Sequence, residues 1–315
     1  MTNWLWDIQG GTTLGLIWGI MALGLYLTYR VLNYADLTVD GSLTLGGAIS
    51  AVCIASGMNP ILAICIAVIG GMIAGFVTGI LHTKLGIPDL LAGILTQFAL
   101  YSVNLRIMGK ANFGLLNQTT LFTQIKAMGV PSRWAGFIVG IVLAIILVNI
   151  VYCFFGTEIG CAVRATGNNP QMVKAMGANT RTYIVLGLVV GNGLVAMSGA
   201  ILAQYQGYAD INMGVGTIVI GLAAIMIGEV IFSKRTYHHR LTGVILGSVV
   251  YRIIIAFVLR FSLMVALPIR ITTDDMKLIT AIIVVIALVS PKIKAEMHTR
   301  HLKLEIAEDE EEEVL

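Results

Sequence analysis

Apolar runs of about 20 residues recur almost to the end of the chain, separated by short polar breaks, and this leaves the sequence few folds to choose from. In hydrocarbon every backbone N–H and C=O must be satisfied within its own segment, so each run has to be a helix. Nine such spans are read at roughly 12–33, 36–56, 59–83, 87–108, 134–156, 181–204, 213–233, 241–260 and 274–291. With a mean hydropathy of +0.88, 57% hydrophobic and only 12% charged residues, no polar segment is long enough for a soluble domain. The expected fold is therefore an all-α polytopic membrane protein. Residues 1–291 form one transmembrane domain, and 292–315 form a charged cytoplasmic tail whose acids, crowded between Glu305 and Glu313, keep it solvated and disordered. The N-terminus, MTNWLWDIQGG, has no basic stretch before the first apolar run, so the first span is expected to be retained, with Trp4 and Trp6 at the membrane surface.

One substantial polar and basic stretch interrupts this pattern, TEIGCAVRATGNNPQMVKAMGANT at Thr157–Thr180. Asn169 is a good N-cap, Pro170 a good first helical residue and Gly177 a good C′ residue, so Pro170–Met176 is expected to form a helix of about two turns. That is too short to span a bilayer. Met172, Val173 and Met176 fall on one side and would present an adaptable apolar face to a groove on a partner, or to the membrane surface.

The second span carries Asp36, Asp40, Gly41, Gly46 and Gly47, and its start is expected to be irregular backbone, which membranes tolerate only where it is buried in protein or lines a cavity. GSLTLGGA at Gly41–Ala48 has a counterpart in GTIVIGLA at Gly216–Ala223. Placing the Thr157–Thr180 loop in the cytoplasm puts the N-terminus outside and the C-terminus inside, the arrangement the basic residues favour. The two matching segments then run in opposite directions, as an inverted repeat requires, although glycine-rich helices can also match by chance.

Uncharged polar groups deep in the spans include Ser42, Thr44, Gln97, Tyr101, Asn104, Asn149, Asn192, Ser198 and Thr217; of these Ser42, Thr44, Gln97, Asn104, Asn192 and Thr217, with the basic Arg252, are the candidate pathway residues. Arg252 could meet a carboxylate on a substrate, or be paired structurally or snorkel to an edge. Interhelical hydrogen bonding is the competing role for the uncharged groups. Glu229 could pair with Arg164 or Lys234 and couple the pathway helices to the polar loop, or merely cap a helix end. The carboxylates Asp36, Asp40, Asp89 and Glu229 all read as nearer the cytoplasmic ends, which weighs against an ion-coupled secondary transporter with an acid at the midplane.

Searches for catalytic motifs are empty. There is no G-x-x-x-x-G-K-[ST], so ATP is not expected to bind through this chain. Cys53, Cys65, Cys153 and Cys161 lack metal or redox spacing, the five histidines fall in loops or the tail, and no catalytic or metal site is expected. Nothing points to nucleic acid.

The run EIGCAVRATGNNPQMVKAMG resembles the cytoplasmic coupling loop of permease subunits in ABC importers of the branched-chain amino acid and ribose type. ADLTVDGSLTLGGA at Ala35–Ala48 and GLAAIMIGEVIF at Gly221–Phe232 fit the same superfamily, with tryptophan- and tyrosine-type permeases the nearer match. The resemblance runs from Gly15 to about Pro291. It implies a type II importer-like fold and a homodimer in the bacterial inner membrane, among lipids, with cytoplasmic ABC ATPase subunits and an extracytoplasmic binding protein. ATP and Mg sit on the ATPase, so this chain is a transport subunit, not an enzyme. ATPase coupling would fall to Glu158, Gly160, Arg164, Asn168, Asn169, Pro170, Met172, Met176 and Gly177. Basic residues Lys110, Lys126 and Arg133 of the outer loop would dock the binding protein. The implied substrate is an amino acid, with an aromatic one the narrower reading; sugars and nucleosides are carried by related permeases.

Overall fold

The computed structural model describes residues 2–232 and 236–264, with isolated positions 278, 282 and 285. The ninth expected span, 274–291, lies outside the described residues apart from those three positions, and so does the tail 292–315.

The first helix, α1 (Thr2–Leu25), continues as a π-helical segment, Tyr26–Val31. There follow α2 (Thr38–Ala55), α3 (Pro60–Thr83), α4 (Asp89–Met108), β1 (Asn112–Gly114), α5 (Leu121–Ala127), α6 (Ser132–Gly156), α7 (Glu158–Asn168) and α8 (Pro170–Ala175). The chain then runs through α9 (Thr180–Gln206), β2 (Tyr208–Asp210), α10 (Thr217–Phe232) and α11 (Tyr237–Met264). Among the described residues, seven helices are long and apolar enough to cross a membrane, and α10 is a shorter apolar helix.

Local chemistry sets the boundaries. Asn59 caps α3 by accepting from the Ile61 amide, with Pro60 in the first turn, and Gly109 ends α4 at φ +67°. Asn179 caps α9 through the Arg181 amide and Gly207 closes it at φ +79°.

Helix α9 is the centre of the bundle, lying against α1, α2 and α3, while α1 also packs on α11 and α11 on α10. Close approach of α2 and α9 depends on absent side chains. A Cβ on Gly46 would overlap the Ala196 carbonyl, and one on Gly199 would overlap that of Leu43. Helices in lipid gain their contact this way, since lipid tails are as apolar as leucine. By contrast, α3, α4 and α6 turn large apolar side chains outward, among them Ile73, 58% exposed, and Ile145, 57% exposed.

The bundle has two distinct ends. At one, β1 pairs antiparallel with β2, Phe113 opposite Ala209, and α5 leans on the end of α9 where Gln204 accepts from the Leu121 amide. At the other, α7 and α8 pack beneath α6, α9 and the π-helical segment.

Three expected spans differ most from the helices found. The first, expected over 12–33, is part of a helix that starts at Thr2 and ends with the π-helical segment at Val31. The second begins at Thr38 rather than 36: the chain doubles back after Val31, the Tyr34 amide reaching the Thr28 carbonyl, and climbs as irregular backbone to Asp36. The seventh, expected over 213–233, is helical only from Thr217, because residues 211–216 return from β2 as a turning segment packed on α2. The two matching motifs thus meet at their N-terminal ends. From there α2 runs toward the strand end, where Ser50 meets Gln204, and α10 runs toward the α7 end, where Glu229 meets Arg30.

Candidate functional site

Asp40, in the first turn of α2, marks this meeting point. Its carboxylate accepts from the backbone amides of Gly216 (3.0 Å) and Ile218 (3.1 Å), capping α10 from a different helix. Thr44, one turn on, accepts from the Gly214 amide and donates to the Asp40 carbonyl. An acid at a helix N-terminus is favoured by the orphan amides and the dipole there.

Beside this junction lies a half-open cleft of 490 Å³ between α2, α4 and the segment 211–215. Asp40, Gln97, Phe98, Tyr101 and Asn104 supply its chemistry, and Thr44 lines it with Ile94 and Ile211. The Asn104 amide nitrogen donates to the Gly41 carbonyl, while its buried Oδ1 has no partner among the described residues.

Deeper in the bundle a polar network fixes the start of α2. Asp36 accepts from the Thr38 amide and from Asn192 Nδ2 (2.7 Å), and Ser42 donates to Asn192 Oδ1 (2.6 Å). Thr38, Thr78 and Thr96 join α2, α3 and α4 through their hydroxyls. Asn192 is at the middle of the 27-residue α9. Asp36 is therefore at mid-bundle, with Asp40 one turn further from the α7 end. This corrects the expectation that both acids sit near the cytoplasmic ends: irregular backbone carries the chain back into the bundle before α2 starts.

At the α7 end, Thr157 caps α7 through the Gly160 amide and Asn169 caps α8 through the Met172 amide. Gly177, at φ +81°, closes α8 with its amide on the Lys174 carbonyl. Gly160, Val163 and Thr166 form the buried stripe of α7, and Gly167 seats its backbone against Val31 and Leu32. Glu158, Asn168, Asn169, Pro170, Met172 and Met176 are exposed, Met176 at 71%.

The model of the branched-chain amino acid transport system permease component matches residues 8–289. The chain belongs to this permease family. It is similar to a tyrosine transport system permease protein of Clostridioides difficile (strain R20291), with 39% identity over 307 residues, 96% of this chain and 97% of that one. More distantly it is similar to an autoinducer 2 import system permease of Yersinia pseudotuberculosis (26% identity, 73% of this chain and 63% of that one). The ribose import permease of Escherichia coli (strain K12) is 23% identical, covering 73% of this chain and 71% of that one.

The permease brings some sequence-derived candidates together and separates others. Thr44, Gln97 and Asn104 share the cleft. Ser42, Asn192 and Thr217 are fully buried in helix contacts, Thr217 donating to the Gly214 carbonyl. Arg252 is on the opposite side of the bundle, its guanidinium 4.2 Å from the centre of the Trp18 ring and its Nε without a hydrogen-bond partner among the described residues. Such stacking favours a cation because the ring face is negative.

Glu229 pairs with Arg30 at 2.7 Å, not with Arg164. The guanidinium of Arg164 instead stacks 4.4 Å over the ring of Tyr237, tying α7 to the start of α11. Lys234, the other expected partner, is outside the described residues. The α8 helix stops at Ala175, one residue short of expectation, and Val173 turns into the bundle at 2% exposure, so Met172 and Met176 alone carry the outward apolar face. Periodicity over two turns could not show which side α9 would cover.

Lys110 lies over Phe113 at 4.7 Å and Lys126 is exposed in the last turn of α5, both at the strand end. Arg133 is in the first turn of α6, its side chain outside the described residues. Of the polar and aromatic residues lining the cleft, Asp40 and Phe98 are the two absent from the sequence-derived candidates, Tyr101 being among the polar groups read deep in the spans. Asp40 had a signal, an acid inside an apolar helix; Phe98 had none, since an aromatic on a membrane helix ordinarily faces lipid.

Proposed function

We propose that this permease forms the translocation pathway of an ATP-driven importer for an amino acid, with an aromatic amino acid as substrate. The observation that carries this reading is the cleft at the meeting of α2 and α10, which polar groups and aromatic rings line together at mid-bundle, beside two helices that run in opposite directions. Support for the substrate class comes from the tyrosine transport permease, similar over nearly the whole chain. The ribose import permease supports a second reading, a sugar or nucleoside as cargo.

In the proposed mechanism two identical copies lie side by side in the inner membrane, with the N-terminus outside and the C-terminus in the cytoplasm. ATP and Mg²⁺ bind to separate ATPase subunits. Closure of the ATPases moves α7 and α8, whose exposed residues Glu158, Arg164, Asn168, Met172 and Met176 face them. Gly167 passes that motion to Val31 and Leu32, and so to the irregular stretch that leads into α2. An extracytoplasmic binding protein docks at the strand end, on Lys110, Lys126 and Arg133. Weak contacts suit the cleft, since a pathway that held its cargo tightly would not release it.

The test is purification from the native host in mild detergent with mass spectrometry of what remains bound. A stoichiometric ATPase and a binding protein retaining an amino acid are expected. A retained sugar or nucleoside would replace the substrate assignment. Uptake that survives loss of the ATPase but collapses with the ion gradient would overturn the ATP-driven mechanism.

A further inference from the structure

The cleft can be read further, on the reading that it belongs to the pathway. Asp40 is the charged group in its lining, and among the described residues no lysine or arginine lies within ion-pair distance of it. The carboxylate accepts the backbone amides of Gly216 and Ile218, with the Thr217 amide also turned to it, which leaves about one of its roughly four acceptor positions for a ligand. Asn104, 1% exposed, holds an orphaned acceptor in Oδ1 just behind the cleft lining, its nitrogen on the Gly41 carbonyl, and a ligand group reaches that oxygen once the side chain turns toward the cavity. Gln97 and Tyr101 make no side-chain hydrogen bond among the described residues and can turn donor or acceptor toward the cavity. Phe98 and Tyr101 line the cavity, and aromatic ring faces attract cations and stack on apolar or aromatic bodies.

A buried acceptor without a donor is costly, so a site with a carboxylate and an orphan carbonyl is suited to a ligand that supplies N–H groups and positive charge. We infer that this cleft recognises a primary ammonium group, held by the Asp40 carboxylate and Asn104 Oδ1, on a ligand whose apolar or aromatic body rests on Phe98 and Tyr101. An α-amino acid carries that group and a sugar does not. Selectivity for amine-bearing cargo therefore resides in this chain as well as in whatever delivers the cargo.

The decisive measurement is saturation-transfer NMR on the full-length permease in lipid nanodiscs, with the signal from empty nanodiscs subtracted. The probes are tyramine (ring and ammonium), 3-(4-hydroxyphenyl)propionate (ring and carboxylate), L-tyrosine and ribose. Tyramine is expected to bind about tenfold more tightly than the propionate, the effect of one hydrogen bond to a charged group. Ribose is expected to give the weakest signal. Asp40→Asn should abolish the preference for tyramine, and Asn104→Leu, which leaves α10 capped, should reduce it.

Equal binding of tyramine and the propionate, a ribose signal as strong as that of tyramine, or no binding of any probe would overturn the inference. So would a preference that survives both substitutions. Should the variants fail to insert, the comparison among probes on the unaltered protein still decides. Failure here leaves an ATPase-dependent amino acid importer intact, because that reading is tested separately by the copurifying partners and their retained ligand.

Discussion

At the scale of single residues, the buried contacts around Asn192 carry more stability than the ion pair that a sequence reading would single out. Asn192 satisfies Asp36 and Ser42 together, in the centre of the bundle. Asn192→Ala strands both groups, each costing about 1–3 kcal/mol, whereas Ser42→Ala strands only the Asn192 carbonyl. The thermal unfolding midpoint of the purified permease should therefore fall further for Asn192→Ala; equal midpoints would show that the network is not cooperative. The Arg30–Glu229 pair is different, since Arg30 is 54% exposed. Glu229→Gln should change stability by less than about 1 kcal/mol, as exposed pairs generally do.

At the scale of elements, α7 and α8 show how a short polar stretch acquires two faces. Its capping residues and the glycine stop were legible in the sequence, because caps are local chemistry. Val173 was not, because only the packing of α8 against α9 decides that it is buried while Met172 is exposed. The two positions should accordingly respond in opposite ways. Met172→Asp should insert and purify like the unaltered chain but lose substrate-stimulated ATP hydrolysis in the assembled transporter. Val173→Asp places a carboxylate against the bundle and should lower the folded yield itself. Unchanged hydrolysis with Met172→Asp would remove α8 from the coupling surface. The meeting of α2 and α10 teaches the same lesson: the paired glycine motifs could be aligned by eye, but not the placement of Asp40 on the amides of Gly216 and Ile218.

At the scale of the whole molecule, the strand end and the α7 end should face opposite sides of the membrane. With Cys53, Cys65, Cys153 and Cys161 replaced by alanine, Leu116→Cys should react with a membrane-impermeant maleimide from outside intact cells, and Met176→Cys only after the membrane is opened. Both side chains are highly exposed, at 86% and 71%. The reverse pattern would invert the proposed orientation. The sequence by itself determined that this chain is a bundle of membrane helices, where most of them run and which loop is built differently, because burial in hydrocarbon demands long apolar helices and helix caps are set by neighbouring residues. Only the tertiary structure decided which polar residues meet. Ser42 and Thr44 are two residues apart on one helix, yet one is locked to Asn192 and the other lines a cleft. Arg252 is stacked on Trp18 far from both. Side-chain type sets what a group needs, but its neighbours come from helices distant in sequence, and their approach is settled by glycine-lined contacts that hydropathy does not record.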